Sequence, residues 1–206
     1  MLALELRPVR RLRSPGRRAL LWLVAVCAVS VAVILRYADI AVFVQRIAVP
    51  RIAIEFVATA LTAVTAITSA FELSVPGRSA RWAWLPLPPF LLWLAASGLG
   101  CLKNGLSLGG PGGFIGESSR CFTFIVAASV PLAAALFWML RRARPIAPLP
   151  VAALGTLGVA ATSACILQFF HPFDVTVIDL TLHLAAVALV MLVGAALARP
   201  LLAARA

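Results

Sequence analysis

Charge is what this chain has least of. Charged residues make up 12% of its 206, with only seven carboxylates and two histidines. A soluble domain averages about 25% charged and about 45–50% apolar. Here apolar side chains reach 63% and the mean hydropathy is +1.04. So little polar surface excludes a water-soluble fold, because such a chain has nothing with which to cover itself in water. Other absences narrow the function. Neither a GxSxG nor an HExxH stretch occurs, and Ser, His and acidic residues form no recognisable triad. The sequence therefore offers no catalytic set and reads as a non-enzyme. The glycines of "KNGLSLGGPGGFIGESSR" (103–120) lack both the spacing and the strand-to-helix setting of a phosphate loop, and they read as a flexible external loop. No cofactor motif is present. No RNA- or DNA-binding module accompanies the net charge of +11, which excludes direct nucleic-acid binding as the reading of that charge. The weak internal symmetry of many transporters is missing too.

What is present is a series of six apolar runs. They cover approximately 19–35, 52–71, 82–102, 121–140, 151–170 and 180–198. Each is long enough to cross roughly 30 Å of hydrocarbon as a helix, and without water to satisfy the backbone each must be helical. The expected fold is an all-α membrane protein with six transmembrane helices. A basic segment (1–18) precedes the six-helix domain (19–198), and a short tail (199–206) follows it. The first run exceeds the apolar core of a signal peptide and no small-residue cleavage site follows, so it reads as an uncleaved anchor. Pro86, Pro88 and Pro89 crowd the start of the third span and are expected to kink or reposition its first turn.

The basic residues orient the bundle. With the N-terminus inside, 13 of the 18 Lys and Arg fall on the cytoplasmic side, leaving Arg36, Arg46, Arg51, Lys103 and Arg120 outside. Both termini are therefore expected in the cytoplasm.

Few polar residues remain to carry chemistry. Glu55 and Glu72 lie near opposite ends of the second span and read first as solvated flanks, since both can reach the interface. Cys27 lies mid-span and Cys165 in the outer half of the fifth; both read as small buried apolar groups. Cys101 and Cys121 stand at the two ends of one external loop, where an oxidising compartment would allow a disulfide or a redox-responsive pair. The stretch "FFHPFDVTVIDLTLHL" (169–184) gathers both histidines and two acids with no cation. Pro172 stops the preceding helix at His171, and Asp179 sits where a carboxylate favours a helix N-terminus, with His183 one turn deeper. Capping explains these residues. Metal or proton sensing is the alternative, the metal being zinc or a similar ion held by His171, Asp174 and His183, although the spacing matches no established motif.

Several pieces, in order on the six-span plan, carry a family resemblance. They are "RPVRRLRSP" before the first span, "FELSVPGRS" between the second and third, "GCLKNG", "ESSRCFTFI", "MLRRARPIAPLP", and finally "FFHPFD" with "DLTLHLAAV". The chain resembles the NrsF-like membrane anti-sigma factors, negative regulators of sigma F. The resemblance implies a protein of the bacterial inner membrane that sequesters an extracytoplasmic-function sigma factor and releases it under heavy-metal or oxidative stress. It also implicates external cysteines. Cys121, in "SRCF", matches one of them, while Cys101 and Cys165 both stand as its partner. The resemblance implies a longer start before "PVRRLR" than this chain has, which spreads the expected sigma contacts over the cytoplasmic loops. Arg10, Arg11, Arg13, Arg78, Arg141, Arg142 and Arg144 are the expected sigma-binding residues, facing acidic patches on the partner. The rival reading is a small multi-pass transporter or metal exporter. It requires polar residues aligned through the bilayer centre, where these spans are nearly all Ala, Leu, Val and Ile.

Overall fold

The computed structural model describes residues 12–103, 115–170 and 176–203. These residues form seven α-helices and no strand. They are α1 (Pro15–Tyr37), α2 (Ile40–Ile47), α3 (Pro50–Leu73), α4 (Leu87–Lys103), α5 (Ile115–Leu140), α6 (Pro148–Leu167) and α7 (Val177–Leu202). All except α2 belong to segments long and apolar enough to cross a membrane, giving six candidate spans among the described residues. The all-α, six-span expectation holds.

Proline sets three of the starts. Pro15, Pro50 and Pro148 each occupy the first helical position, where the ring's fixed φ suits the helix and its missing N–H costs nothing. A 3-10 turn over Ala80–Trp84 precedes α4, so the proline-rich stretch does reposition the start of the third span.

The long helices α3 and α6 pack along each other at the centre. Helices α5 and α7 close one side, while α1 and α4 lie against α3. About half of each central span is buried, against about a fifth for α1 and α7, as expected when the outer helices face lipid. Small residues bring the central pair together. A Cβ added at Gly158 would lie 2.7 Å from Ile67 Cγ1 and 3.0 Å from the Ile67 backbone nitrogen, so only glycine permits this approach. The main apolar core gathers at one end, around Trp22, Phe71, Leu136, Leu140, Val151 and Leu202. A smaller cluster of Cys121, Ile125, Leu167 and Ala186 fills the other end.

Three features go beyond or against the sequence reading. First, the segment between the first two spans, too short to be a span itself, forms α2, capped by Asp39, whose carboxylate accepts from the Ala41 and Val42 amides at 3.0 and 3.2 Å. Its Phe43 stacks on Phe169 at 4.0 Å and meets Phe56 edge-on at 5.4 Å. Second, α5 begins at Ile115, so Cys121 lies in the second turn of its helix and does not open it. Third, Cys27 is exposed on the outer surface of α1 and is not packed inside.

Candidate functional site

Polar chemistry collects at the two ends of the bundle. The end that holds the α2 segment and the α6–α7 connection will be called outer, and the end that holds the α5–α6 connection inner.

At the outer end, α3 turns Arg51 and Glu55 onto one face, four residues apart, and their side chains form a largely buried ion pair. Glu55 is 4% exposed, so its reading as a solvated flank is corrected. One helical turn aligns the two charges, and α4 closes over them at Gly100. A Cβ there would fall within 2.8 Å of the Arg51 Cζ. Across the same end, Arg46 donates to the Gln168 carbonyl at 3.2 Å, tying the α2 segment to the end of α6.

Asp179 supplies a fourth charged residue at this end. It is 5% exposed and forms a capping box with Thr176. The Thr176 hydroxyl donates to the Asp179 carboxylate at 2.7 Å, and the Asp179 amide returns a bond to that hydroxyl at 3.2 Å. The expected role of Asp179 at the helix start is what the structure contains. His183 lies one turn deeper, its Nδ1 donating to the Asp179 carbonyl at 2.7 Å; that bond fixes the proton on Nδ1. Glu55, Asp179 and His183 meet Arg46, Trp93 and Ser97 around a cavity of ≈ 50 Å³, room for a few water molecules. No group of three His, Cys, Asp or Glu among the described residues is placed to hold a metal ion. His171 and Asp174, the other members of the metal set suggested with His183, lie outside the described residues.

The cysteines separate. Cys101, buried on the last turn of α4, lies within electrostatic reach of Arg51, Glu55 and Asp179. Cys121 is buried among Ile125, Leu167 and Ala186. Cys165 is partly buried on α6. No disulfide joins any of the four cysteines.

The inner end is basic. Arg13, Arg17, Arg78, Arg81, Arg141, Arg142, Arg144 and Arg199 are all exposed there, whereas Arg10 and Arg11 lie outside the described residues. The α5 helix ends in a 3-10 turn, Arg141–Ala143, and Arg144 adopts a left-handed conformation (φ 47°) that reverses the chain. This turn presents three arginines together. Arg142 lies over the Trp138 ring at 4.0 Å, a contact that orders a cation at the membrane interface. Glu72 is the single acidic residue described at this end. It is 7% exposed, with the Arg78 Nε 3.2 Å from its carboxylate, so it too is corrected from a solvated flank to a buried group. Arg18 is drawn inward, donating to the Met139 carbonyl and lying 5.1 Å from the Phe71 ring centre.

Between the two ends most of the threonine hydroxyls are turned back on their own helices. Thr59, Thr62 and Thr156 donate to the carbonyls of Glu55, Ala58 and Ala152 at 2.7–2.8 Å. Ser129 and Ser163 bond each other at 3.1 Å. These contacts satisfy the five hydroxyls locally and give no continuous polar line along the bundle among the described residues.

Sequence reasoning did not foresee the Arg46–Arg51–Glu55 group or the chamber beside it. The signal was present in "RIAIE", an Arg–Glu pair at the helical i, i+4 spacing inside an apolar run.

A family model described as "Negative regulator of sigma F" (NrsF) matches residues 2–203, nearly the whole chain. No curated protein and no solved structure matches it.

Proposed function

Because the chain belongs to the NrsF family of negative regulators of sigma F, we propose that it is an anti-sigma factor of the bacterial inner membrane. It holds an extracytoplasmic-function sigma factor on its inner face and releases it when metal or oxidative stress acts on the outer face. The observation that carries this reading is the inner rim, with eight exposed arginines and no exposed acid among the described residues. A soluble partner with an acidic surface meets complementary charge there, which steers encounter and selects orientation. Two of them are held in place, Arg142 over Trp138 and Arg78 against Glu72, so less side-chain entropy is lost there on binding.

Release requires that the signal stabilise one state of the bundle over another. Helix α3 suits that task, since it carries Glu55 at the outer end and Glu72 beside Arg78 at the inner end. Cys121, with Cys101 or Cys165, is the proposed point of signal entry, and His183 with His171 and Asp174 the subsidiary one. A thiol buried among apolar neighbours responds only when that end loosens, which confines the response to conditions that open it.

One reporter assay tests both halves. In cells carrying a promoter dependent on the cognate sigma factor, joint reversal of Arg10, Arg11 and Arg13, or of Arg141 and Arg142, to Glu should raise basal output. Each exposed contact contributes only about 0–1 kcal/mol, so single changes should be mild and clusters clear. With protein level checked, Cys121→Ser should keep basal output low and abolish induction by cadmium or peroxide. Unchanged basal output in both cluster variants would remove the rim as the sigma surface. A normal dose response in Cys121→Ser would remove the thiol, and the same assay on His171→Ala and His183→Ala then decides the subsidiary site.

A further inference from the structure

Between α5 and α7 a groove of ≈ 670 Å³ opens on the lateral face of the bundle, within the size range of ligand sites, about 300–1,000 Å³. One wall runs along α5 and into the turn that follows it, from Val126 to Arg141, and the other along α7 from Leu189 to Leu201. At 1.5 Å per residue the α5 wall is about 22 Å long, more than the roughly 15 Å depth of one leaflet's hydrocarbon. The groove is dry. Its hydroxyls are committed elsewhere, Ser129 to Ser163 and Thr156 to the Ala152 carbonyl, and the remaining lining is apolar until the inner end.

Charge enters only there. Arg141 is exposed where the groove meets the inner rim, Arg142 lies beside it on Trp138, and no carboxylate lines the groove. We propose that the groove is a binding site for one anionic glycerophospholipid, its acyl chain along α5 and α7 and its phosphate against Arg141. A long apolar slot ending in a cation matches an amphiphile whose tail and anionic head are joined at that depth. A second copy of the chain fits worse. Inserted in the same direction, it brings its own inner arginines level with these, so like charges meet across the contact. A water-soluble partner does not reach hydrocarbon depth. Assignment of this lipid to the cytoplasmic leaflet rests on the reading of the inner end as cytoplasmic; the binding itself does not.

The test is lipid retention by the full chain purified in detergent, where membrane orientation plays no part. The protein is titrated with phosphatidylglycerol or phosphatidylcholine of matched acyl chains, and bound lipid is counted by native mass spectrometry. The parent chain should retain one phosphatidylglycerol in preference to phosphatidylcholine. Arg141→Gln should lower that preference about fivefold, whereas Arg199→Gln, a charge at the same end outside the groove lining, should change it less than twofold. Ala134→Trp and Val130→Trp both place bulk in the groove from exposed positions on α5 and should expel either lipid with helicity retained by circular dichroism. Equal retention of the two lipids, insensitivity to Arg141→Gln, or retention in both tryptophan variants would each overturn the proposal. So would a dimer of the parent chain that the tryptophan variants dissociate, which would make the groove an interface between copies.

Discussion

At the scale of single residues, the informative ones are the carboxylates that an apolar chain keeps. Glu55 and Glu72 looked dispensable in the sequence because each lies within reach of an interface, and burial reverses that reading. Depth along a span can be counted from the sequence, but rotation toward or away from the bundle is set by neighbours whose identity comes only with packing. Asp179 was legible for the opposite reason. A helix cap is a local arrangement within four residues, and "TVID" contains both halves of it. The Arg51–Glu55 pair is covered by α4 at Gly100, with side-chain exposures of only 15% and 5%. Taking away one member of a buried pair typically costs about 3–5 kcal/mol, while replacing both by apolar groups is often close to neutral. Glu55→Leu should therefore lower stability strongly in an SDS-unfolding titration followed by circular dichroism, and Arg51→Met combined with Glu55→Leu should recover most of the loss. Equal stability of Glu55→Leu and the parent chain would show that the pair is solvated after all.

At the scale of elements, the long spans were readable and the short helix was not. Six apolar runs needed only a length criterion, because hydrocarbon leaves the backbone no alternative to helix. Eight residues of α2 fall below that criterion, although Asp39 before it and Pro50 after it are ordinary start and stop signals. What holds α2 is tertiary, the meeting of Phe43 with Phe56 and Phe169 from two other parts of the chain. The start of α5 was misplaced because the Gly-rich stretch before it and the polar first turn resemble loop, and Cys121 was drawn to the helix end as a result. The order of the central helices was likewise hidden, since Gly158 reads as one small residue among many in α6. Its position against Ile67 makes it distinct. Gly158→Leu should force α3 and α6 apart at a cost of about 1–3 kcal/mol from overpacking. Gly98→Leu is the matched comparison, because an added Cβ at Gly98 has nothing within 4 Å. Thermal unfolding of the two variants should separate them by several degrees, and identical midpoints would mean that the α3–α6 contact is not the close one.

At the scale of the whole molecule, the two ends differ in how they use arginine, and that difference bears on orientation. Thirteen of the 18 basic residues fall on one side by sequence, which already predicts that side as cytoplasmic. The fold widens the asymmetry. At the outer end Arg46 is engaged with the Gln168 carbonyl and Arg51 with Glu55, while Arg36 and Arg120 are exposed. At the inner end Arg18 alone is buried, and eight others reach the surface. An anionic leaflet contributes about 1 kcal/mol per basic residue near its surface, so the excess at the inner rim favours one insertion over its inverse by several such increments. Both termini and the α5–α6 turn should then face the cytoplasm. Fusions of a paired alkaline phosphatase and green fluorescent protein reporter at Ala206 and after Arg141 should fluoresce without phosphatase activity, and a fusion after Gly110 should do the reverse. Because the three sites sit after even and odd numbers of spans, they also count the crossings. Phosphatase activity at Ala206 with fluorescence after Arg141 would mean an odd number of spans between them and would break the six-span plan. Phosphatase activity at both, with fluorescence after Gly110, would keep six spans but invert the bundle, placing the basic rim where no sigma factor could reach it.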